Sequence, residues 1–293
     1  MRIGDKPLVS IGMPIYNGAH SLRRSLESLL AQDYENFELI ISDNHSTDST
    51  QEICLDYMAK DKRIRYLRNE MNVGAIRNFN KVFEISEGEF FMWHAHDDYR
   101  EPSYISACLE VLENNPNVIL SCTKVLVKEN GGLRELNEGF STIGMAPHKR
   151  FHKILWSNSG ASIYGLFRRS SLRKTRLFRN AVGADILLLS ELSLMGEFHE
   201  VPLFLFTKSI RGGSVAKKIK VILESILPDG HRVFLPFTKM GLEYWKLVRD
   251  SDLGRTEKKV AFLDIILCFL VKYKIFFSDP GLTFYLNLLK LKE

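Results

Sequence analysis

Paired cysteines are missing from this chain. The four present, Cys54, Cys108, Cys122 and Cys268, are scattered and form no CxxC. That spacing argues against a disulfide scaffold and against a zinc site, and it leaves free thiols in a reducing compartment as the expectation. Also absent are GxGxxG and GxxxxGK[ST]. Those glycine loops cradle phosphates in dinucleotide-binding dehydrogenases and P-loop ATPases, so both classes are disfavoured. The N-terminus, MRIGDKPLVSIGMPIYN, lacks a basic segment, a long apolar stretch and a small-residue cleavage site; no secretory leader is read, and a cytoplasmic location is expected. No uninterrupted run of about 20 apolar residues occurs, which a membrane-spanning helix needs. Basic charge is scarce where it would matter for nucleic acid. The net +5 lies wholly in residues 216–293, which hold 14 Lys and Arg against 9 Asp and Glu. The rest is neutral, so no nucleic-acid partner is expected.

What is present is an alternation. LVSIGMPIY, FELIISD, RIRYLRN and EFFMWHA are short strand-like runs. Between them, SLRRSLESLLAQ, STDSTQEICLDYMAKD and NVGAIRNFNKVFEISEG carry helical spacing, and PSYISACLEVLENN then NVILSCTKVLV continue the pattern. Repeated βα units of this length predict an α/β fold, a mostly parallel, Rossmann-like sheet with helices on both faces. Ligands of such sheets sit beyond the C-terminal strand ends. That rim carries Asn17, Asp43 and the pair Asp97 and Asp98. The alternation lapses over 128–160 and resumes with ASIYGLFRRSSL as a strand running into a turn, ADILLLSELSLMG as an apolar helix and EFHEVPLFLFTKSIRGGS as a strand. Beyond Ser214 the chain becomes Leu-, Ile- and Lys-rich and helical. The expected division is a catalytic domain over 1–215, with halves meeting near 127, and a helical C-terminal extension over 216–293.

Adjacent carboxylates at the end of an apolar strand repel unless a cation or donors offset them. Asp97 and Asp98 therefore suit a divalent ion that bridges phosphates; the alternative is a solvated turn with Asp98 capping the helix near Pro102. Asp43, closing the second strand, is placed to accept a base N–H, whereas Ser46, Thr47 and Asp48 read as helix-capping residues. Gly74 permits a tight turn and puts Arg77 on the first turn of a helix, either as a phosphate partner or in a surface salt bridge. Trp93 and His94 read as strand core.

In order and position, IGMPIYNG, IISDNHSTDST, NVGAIRN and HDD after an apolar strand resemble family 2 glycosyltransferases of the GT-A fold, over roughly residues 7–215. The resemblance implies that Pro14, Tyr16 and Asp43 hold the nucleotide base, with Asn17, Asn72, Gly74 and Arg77 completing the nucleotide site. It implies that Asp97 faces the ribose or sugar and that Asp98 binds Mn2+ or Mg2+ in a DxD-type motif; His96 is not counted as a ligand. The family's base, an Asp in a Glu-Asp pair opening a helix, matches Asp185, with Ala184 in place of the glutamate and Glu191 as the alternative base. An Arg-x-His-type segment is replaced by FTKSIRGGS, so Lys208 or Arg211 is expected to neutralise diphosphate. The implied activity is inverting transfer of one sugar from a nucleotide-sugar donor to a saccharide or lipid-linked acceptor, in surface polysaccharide or glycolipid synthesis. Two rivals remain: a catalytically idle nucleotide-sugar-binding homologue, and a sugar-phosphate nucleotidyltransferase. For residues 258–277 the readings are a helix packed on the domain or an interfacial helix at the inner face of the plasma membrane.

Overall fold

The structure, a computed structural model, describes residues 6–129, 131–136, 139–157, 160–210 and 236–272. Four βα steps open it: β1 (Val9–Ile15), α1 (Ala19–Leu30), β2 (Phe37–Asp43), α2 (Thr50–Lys60), β3 (Ile64–Arg68), α3 (Ala75–Glu84), β4 (Phe90–Trp93), the two-residue β5 (Tyr99–Arg100) and α4 (Tyr104–Asn114). Then come β6 (Val118–Glu129), β7 (Gly132–Leu136), α5 (Pro147–Trp156), a 3-10 turn (Ala161–Tyr164), β8 (Leu166–Arg168), α6 (Arg169–Leu172), α7 (Ala184–Met195) and β9 (Glu197–Ile210). Two further helices follow, α8 (Pro236–Asp250) and α9 (Arg255–Lys272).

Nine strands form one sheet in the order β3-β2-β1-β4-β8-β6-β9-β5, with β7 on β6. The run β3-β2-β1-β4 is parallel, as the alternation predicts. The second half is mixed. β8 runs antiparallel between β4 and β6, while β9 lies parallel to β6 and antiparallel to β5. Past the 128–160 excursion, strand direction is no longer dictated by a short helical crossover, and β8 enters from the opposite end. Of ASIYGLFRRSSL only three residues are strand, because the 3-10 turn takes the first four and α6 the last.

Period-two alternation splits the core between two faces. Val9, Ile11, Met13, Leu39, Ile41 and Met92 pack toward α1, α2 and α4. Ile40, Phe91 and Trp93 pack on the other side with Val82, Phe83, Phe167 and Leu188. Trp93 is fully buried, its indole N–H donating to the Phe79 carbonyl, so it is core as expected. A third core ties α8 and α9 to α5 and α7, through Met240, Tyr244, Ile265 and Cys268 against Phe151, Leu155 and Leu187. One face of α9 is therefore packed on the domain.

Candidate active site

Pro14 sits inside a central strand, where a missing N–H would ordinarily break the ladder. Here the Gly12 carbonyl, pointing toward β4, takes the His94 N–H, and β1–β4 pairing ends at that level. Pro14 is two residues on and faces the same side, where β4 has already left. The strand ends thus splay open at Pro14.

The loops beyond β1 and β2 are sewn together. Asn17, at φ 50, gives its N–H to Ser46 Oγ at 2.9 Å, and its Oδ1 accepts the Thr47 N–H at 2.8 Å. The Gly18 N–H donates to Thr50 Oγ1 and the Ala19 N–H to Asp48 Oδ2. Asp48 also takes the Thr50 N–H at 3.0 Å, so it serves α2 as the sequence suggests while holding α1 as well. Tyr16 stands on this braced loop, 46% exposed.

Asp43 is more deeply set than the sequence implies. Its carboxylate is fully buried: Oδ1 accepts the Ser46 N–H at 2.8 Å and Oδ2 accepts the Tyr66 O–H at 2.8 Å, with the Arg68 guanidinium at 3.5 Å. Asp43 pairs with Arg68 in the β2–β3 register, which brings β3 side chains over it. Asn72 Oδ1 accepts the Gly74 N–H at 2.9 Å, and Gly74 lies at φ 83, the left-handed region that favours glycine. Arg77 is exposed on the first turn of α3 and makes no salt bridge to another described residue.

Asp98 is only 3% exposed. Its Oδ1 accepts the Ser209 N–H at 2.8 Å, while Oδ2 is buried without a hydrogen-bond partner among the described residues. It does not cap α4, which starts at Tyr104. Burial first, and the Asp97 carboxylate second, push its pKa up to about 7 against the opposing pull of Ser209, Lys208 and Arg100. Behind it lies a rigid block: Arg100, fully buried, donates from Nε to His94 Nδ1 at 3.0 Å. The His94 proton is thereby set on Nε2, 2.8 Å from Ser25 Oγ, and burial holds this imidazole well below its ordinary pKa.

Asp97 and Asp98 line a cleft of ≈ 260 Å³ together with His20, Arg24, Lys128 and Ser209. His20, Arg24 and Lys128 belong to none of the sequence motifs. His20 and Arg24 share one face of α1 at i, i+4, and Lys128 pairs with Ser209 across β6–β9. The first signal was available in the helical spacing; the second needs the sheet register. An unpartnered buried carboxylate oxygen beside a second carboxylate suits a hard divalent cation, since Mg2+ is commonly held by one or two carboxylates with phosphate oxygens and water completing its shell. Among the described residues no cluster of three His, Cys, Asp or Glu side chains forms a metal cage.

Asp185 lies in the first turn of α7, after Gly183 at φ 66. Its Oδ1 accepts the Ile186 N–H at 2.9 Å. Its Oδ2 abuts position 160, where a Cβ would lie 1.9 Å away, so glycine there makes the room the carboxylate occupies. Glu191 is buried and paired with Arg179, which also reaches Glu243 of α8 at 3.1 Å; this network staples α8 to α7. Lys208 Nζ lies 5.0 Å from the Tyr164 ring centroid. Burial foremost, and then the negative charge of Asp98, Asp185 and Asp97, raise the Tyr164 pKa. Arg211 lies outside the described residues.

S. aureus TarS 1–349 in complex with UDP-GlcNAc superposes on this chain with TM-score 0.71 at 17% identity, covering 92% of this chain and 75% of that one. The mannosyltransferase PcManGT from Pyrobaculum calidifontis, in complex with GDP-Man and Mn2+, gives 0.57 at 14% identity over 98% and 81%. At these identities the likeness is one of fold, and the fold is of the GT-A type. The profile of Glycosyl transferase family 2 matches residues 10–176, more than half of the chain, which belongs to that family. An uncharacterized glycosyltransferase of Rickettsia bellii is 39% identical over 129 residues, 43% of this chain but 18% of that protein. A Bacillus subtilis protein bearing the name glycosyltransferase EpsH is 27% identical over 262 residues, 88% of this chain and 70% of that one. The chain spans less than half the length of several curated relatives, 38% of the one from Rickettsia typhi and 46% of the one from Methanocaldococcus jannaschii.

Proposed function

We propose that this protein moves one sugar from a nucleotide-sugar donor to a hydroxyl of a saccharide or lipid-linked acceptor, with inversion at the anomeric carbon, in the assembly of surface polysaccharide or glycolipid. The observation that carries the reading is Asp98 Oδ2, buried beside Asp97 and open to a cation. Asp98, with Asp97 beside it, would hold Mn2+ or Mg2+, which when bound supplies Lewis-acid stabilisation of charge on a diphosphate. Tyr16 and the braced Asn17 loop offer the base a platform, while Asp43 sets the pocket floor, each oxygen keeping lone-pair capacity for a base N–H. Asn72 and Gly74 shape the turn that presents Arg77 to the nucleotide. Arg24, Lys128 and Lys208 add fixed positive charge for the departing diphosphate, where preorganised charge is worth most. Asp185 takes the acceptor hydroxyl proton as that oxygen bonds to the anomeric carbon and the bond to the diphosphate oxygen breaks.

Incubated with Mn2+, acceptor extract and a panel of UDP-, GDP- and dTDP-sugars, the protein is expected to release nucleoside diphosphate from one donor class. Pyrophosphate release instead would mark a nucleotidyltransferase, and donor binding without release an idle homologue.

The acceptor reading extends to α9. Its outward residues Val260, Leu263, Ile266, Leu267, Leu270 and Val271 are all exposed, whereas Ala261, Ile265 and Cys268 face the core. Lys259 is exposed beside them and Arg255 at the start of the helix, and Asp264 turns to His152 at 3.1 Å. A second copy on this face would set lysine against lysine; an anionic lipid surface offsets it and admits the leucines. The protein should float with phosphatidylglycerol vesicles and not with phosphatidylcholine alone, and a Leu263→Glu, Leu267→Glu, Leu270→Glu variant should lose flotation. Absence of flotation by the native chain, or a dimer in solution that the same variant dissociates, would overturn the lipid contact.

A further inference from the structure

Four asparagines gather around the turn that follows β3, and their amides join into one chain of hydrogen bonds. Asn44, Asn69 and Asn78 are buried, while Asn72 stands exposed on the turn itself. The chain begins at Lys81 of α3, whose Nζ donates to Asn69 Oδ1 at 2.5 Å. An ammonium has donors only, so it decides which end of the Asn69 amide faces it. Asn69 Nδ2 is thereby turned away, and it donates to Asn44 Oδ1 at 3.0 Å and to Asn78 Oδ1 at 3.1 Å. Asn44 Oδ1 also takes the Val73 N–H at 2.9 Å, and Asn44 Nδ2 donates to Asn72 Oδ1 at 2.7 Å. The Gly74 N–H, at 2.9 Å, holds that same Asn72 oxygen. Asn78 braces the chain from the side, accepting the Ser42 O–H at 2.7 Å and donating to the Ser42 carbonyl at 2.8 Å. Each amide from Lys81 outward thus accepts from the residue before it and donates to the one after. The last amino group, Asn72 Nδ2, makes no hydrogen bond to another described residue.

An asparagine on an exposed turn can offer either end of its amide, and a nucleotide presents mostly acceptor oxygens. An outward oxygen would repel them; an outward amino group binds them. The chain removes that choice, and it is built on the backbone of the pocket floor: Asn44 follows Asp43, and the Asn69 N–H donates to the Asp43 carbonyl at 2.8 Å. In the transfer reading, on which this step rests, the nucleotide lies over this turn. We infer that Lys81, Asn69 and Asn44 hold Asn72 Nδ2 outward as a donor to an acceptor oxygen of the nucleotide. Lys81 and Asn69 are then positioning residues, acting only through the two amides ahead of them.

Titration with UDP, GDP and dTDP in Mn2+ tests the chain through Asn69→Asp, Lys81→Met and Lys81→Arg, each made in the native and the Asn72→Ala backgrounds. Aspartate at 69 can still pair with Lys81 but presents an oxygen to Asn44, which drives both outer amides to turn end for end. It should weaken binding of the preferred diphosphate about 10-fold, the scale of one hydrogen bond lost with a polar group left unpaired. Lys81→Met frees the first amide while the Val73 and Gly74 N–H groups still hold the others, so about a three-fold loss is expected. Lys81→Arg keeps a cationic donor and should bind as the native chain does. With Asn72→Ala in place, all three substitutions should be neutral within about two-fold, because the residue they act through is gone. A loss of equal size in both backgrounds would show an effect of fold or charge alone and overturn the inference. Native affinity in both Asn69→Asp and Lys81→Met would overturn it too; should Asn69→Asp not fold, Lys81→Met, at a half-buried position, carries the same comparison. Failure of the native chain to bind any of the three diphosphates would instead overturn the transfer reading itself.

Discussion

Asp185→Asn should lower sugar transfer by roughly 10³-fold, inside the 10²–10⁴ range of a positioned acid or base, while donor affinity stays within about two-fold. The substitution is nearly isosteric. The amide oxygen can still accept the Ile186 N–H, so the first turn of α7 keeps that bond, and the space left by Gly160 still accommodates the head group. What is lost is the ability to take a proton from the acceptor hydroxyl. Initial rates of nucleoside diphosphate release at saturating acceptor, set beside donor titration, read the two effects separately. A loss below ten-fold would move the base elsewhere. Glu191 is a poor successor, because it is buried in an ion network with Arg179 and Glu243 that staples α8 to α7.

The sequence reading reached the first half of the sheet because its signals there are local. Each of β1 to β4 is an apolar run followed by a helix, and the aspartate pair closes one of them. A strand was expected in ASIYGLFRRSSL, but its three-residue length and its direction, antiparallel to partners on both sides, are set by those partners and not by the local pattern. Nor could that pattern foresee the burial of Asp43, because Tyr66 and Arg68 reach it across the β2–β3 register rather than along the chain. Lys128 joins the cleft only through the pairing of β6 with β9. Tyr164 was concealed for a further reason. ASIYG has a strand's composition, yet Gly165 passes so close to Leu120 and the Ser121 carbonyl that a Cβ would lie 2.4 Å and 2.8 Å from them, and β8 begins only after it. The 3-10 turn leaves the tyrosine ring against Phe206 and Lys208 instead of in the ladder.

Asp98→Asn should make the cation-free protein more stable at pH 8 and abolish its function. In the folded state the Asp98 pKa is raised to about 7, by burial foremost and then by Asp97, against an ordinary value of about 3.9 in the unfolded chain. A raised carboxyl means that between about pH 4 and pH 7 the folded protein holds a proton the unfolded chain has released. Stability from this group is complete below the lower value and is lost as pH rises through the upper one. Asparagine carries no such loss. It can keep the Ser209 N–H bond through its oxygen, but its amide donors lack a partner where Oδ2 now has none. The full shift corresponds to about 4 kcal/mol; allowing half for that unpaired amide and for relaxation leaves about 2 kcal/mol. Melting curves should therefore separate by roughly 4–8 °C in favour of the variant at pH 8, and the gap should close and slightly reverse by pH 4.5, where only the variant still carries its unpaired amide. Mn2+ with nucleoside diphosphate should reverse the order, because binding stabilises only the form that can hold the ion. Transfer by the variant should fall at least about 100-fold, the scale of a lost electrostatic contact to the reacting groups. A variant less stable than the native chain at pH 8 without metal would mean that Asp98 is already compensated by protein groups, and that no cation is needed to complete it. The carboxylate is costly to the fold for the same reason it suits an ion: it is charged, buried and left with one oxygen unpaired.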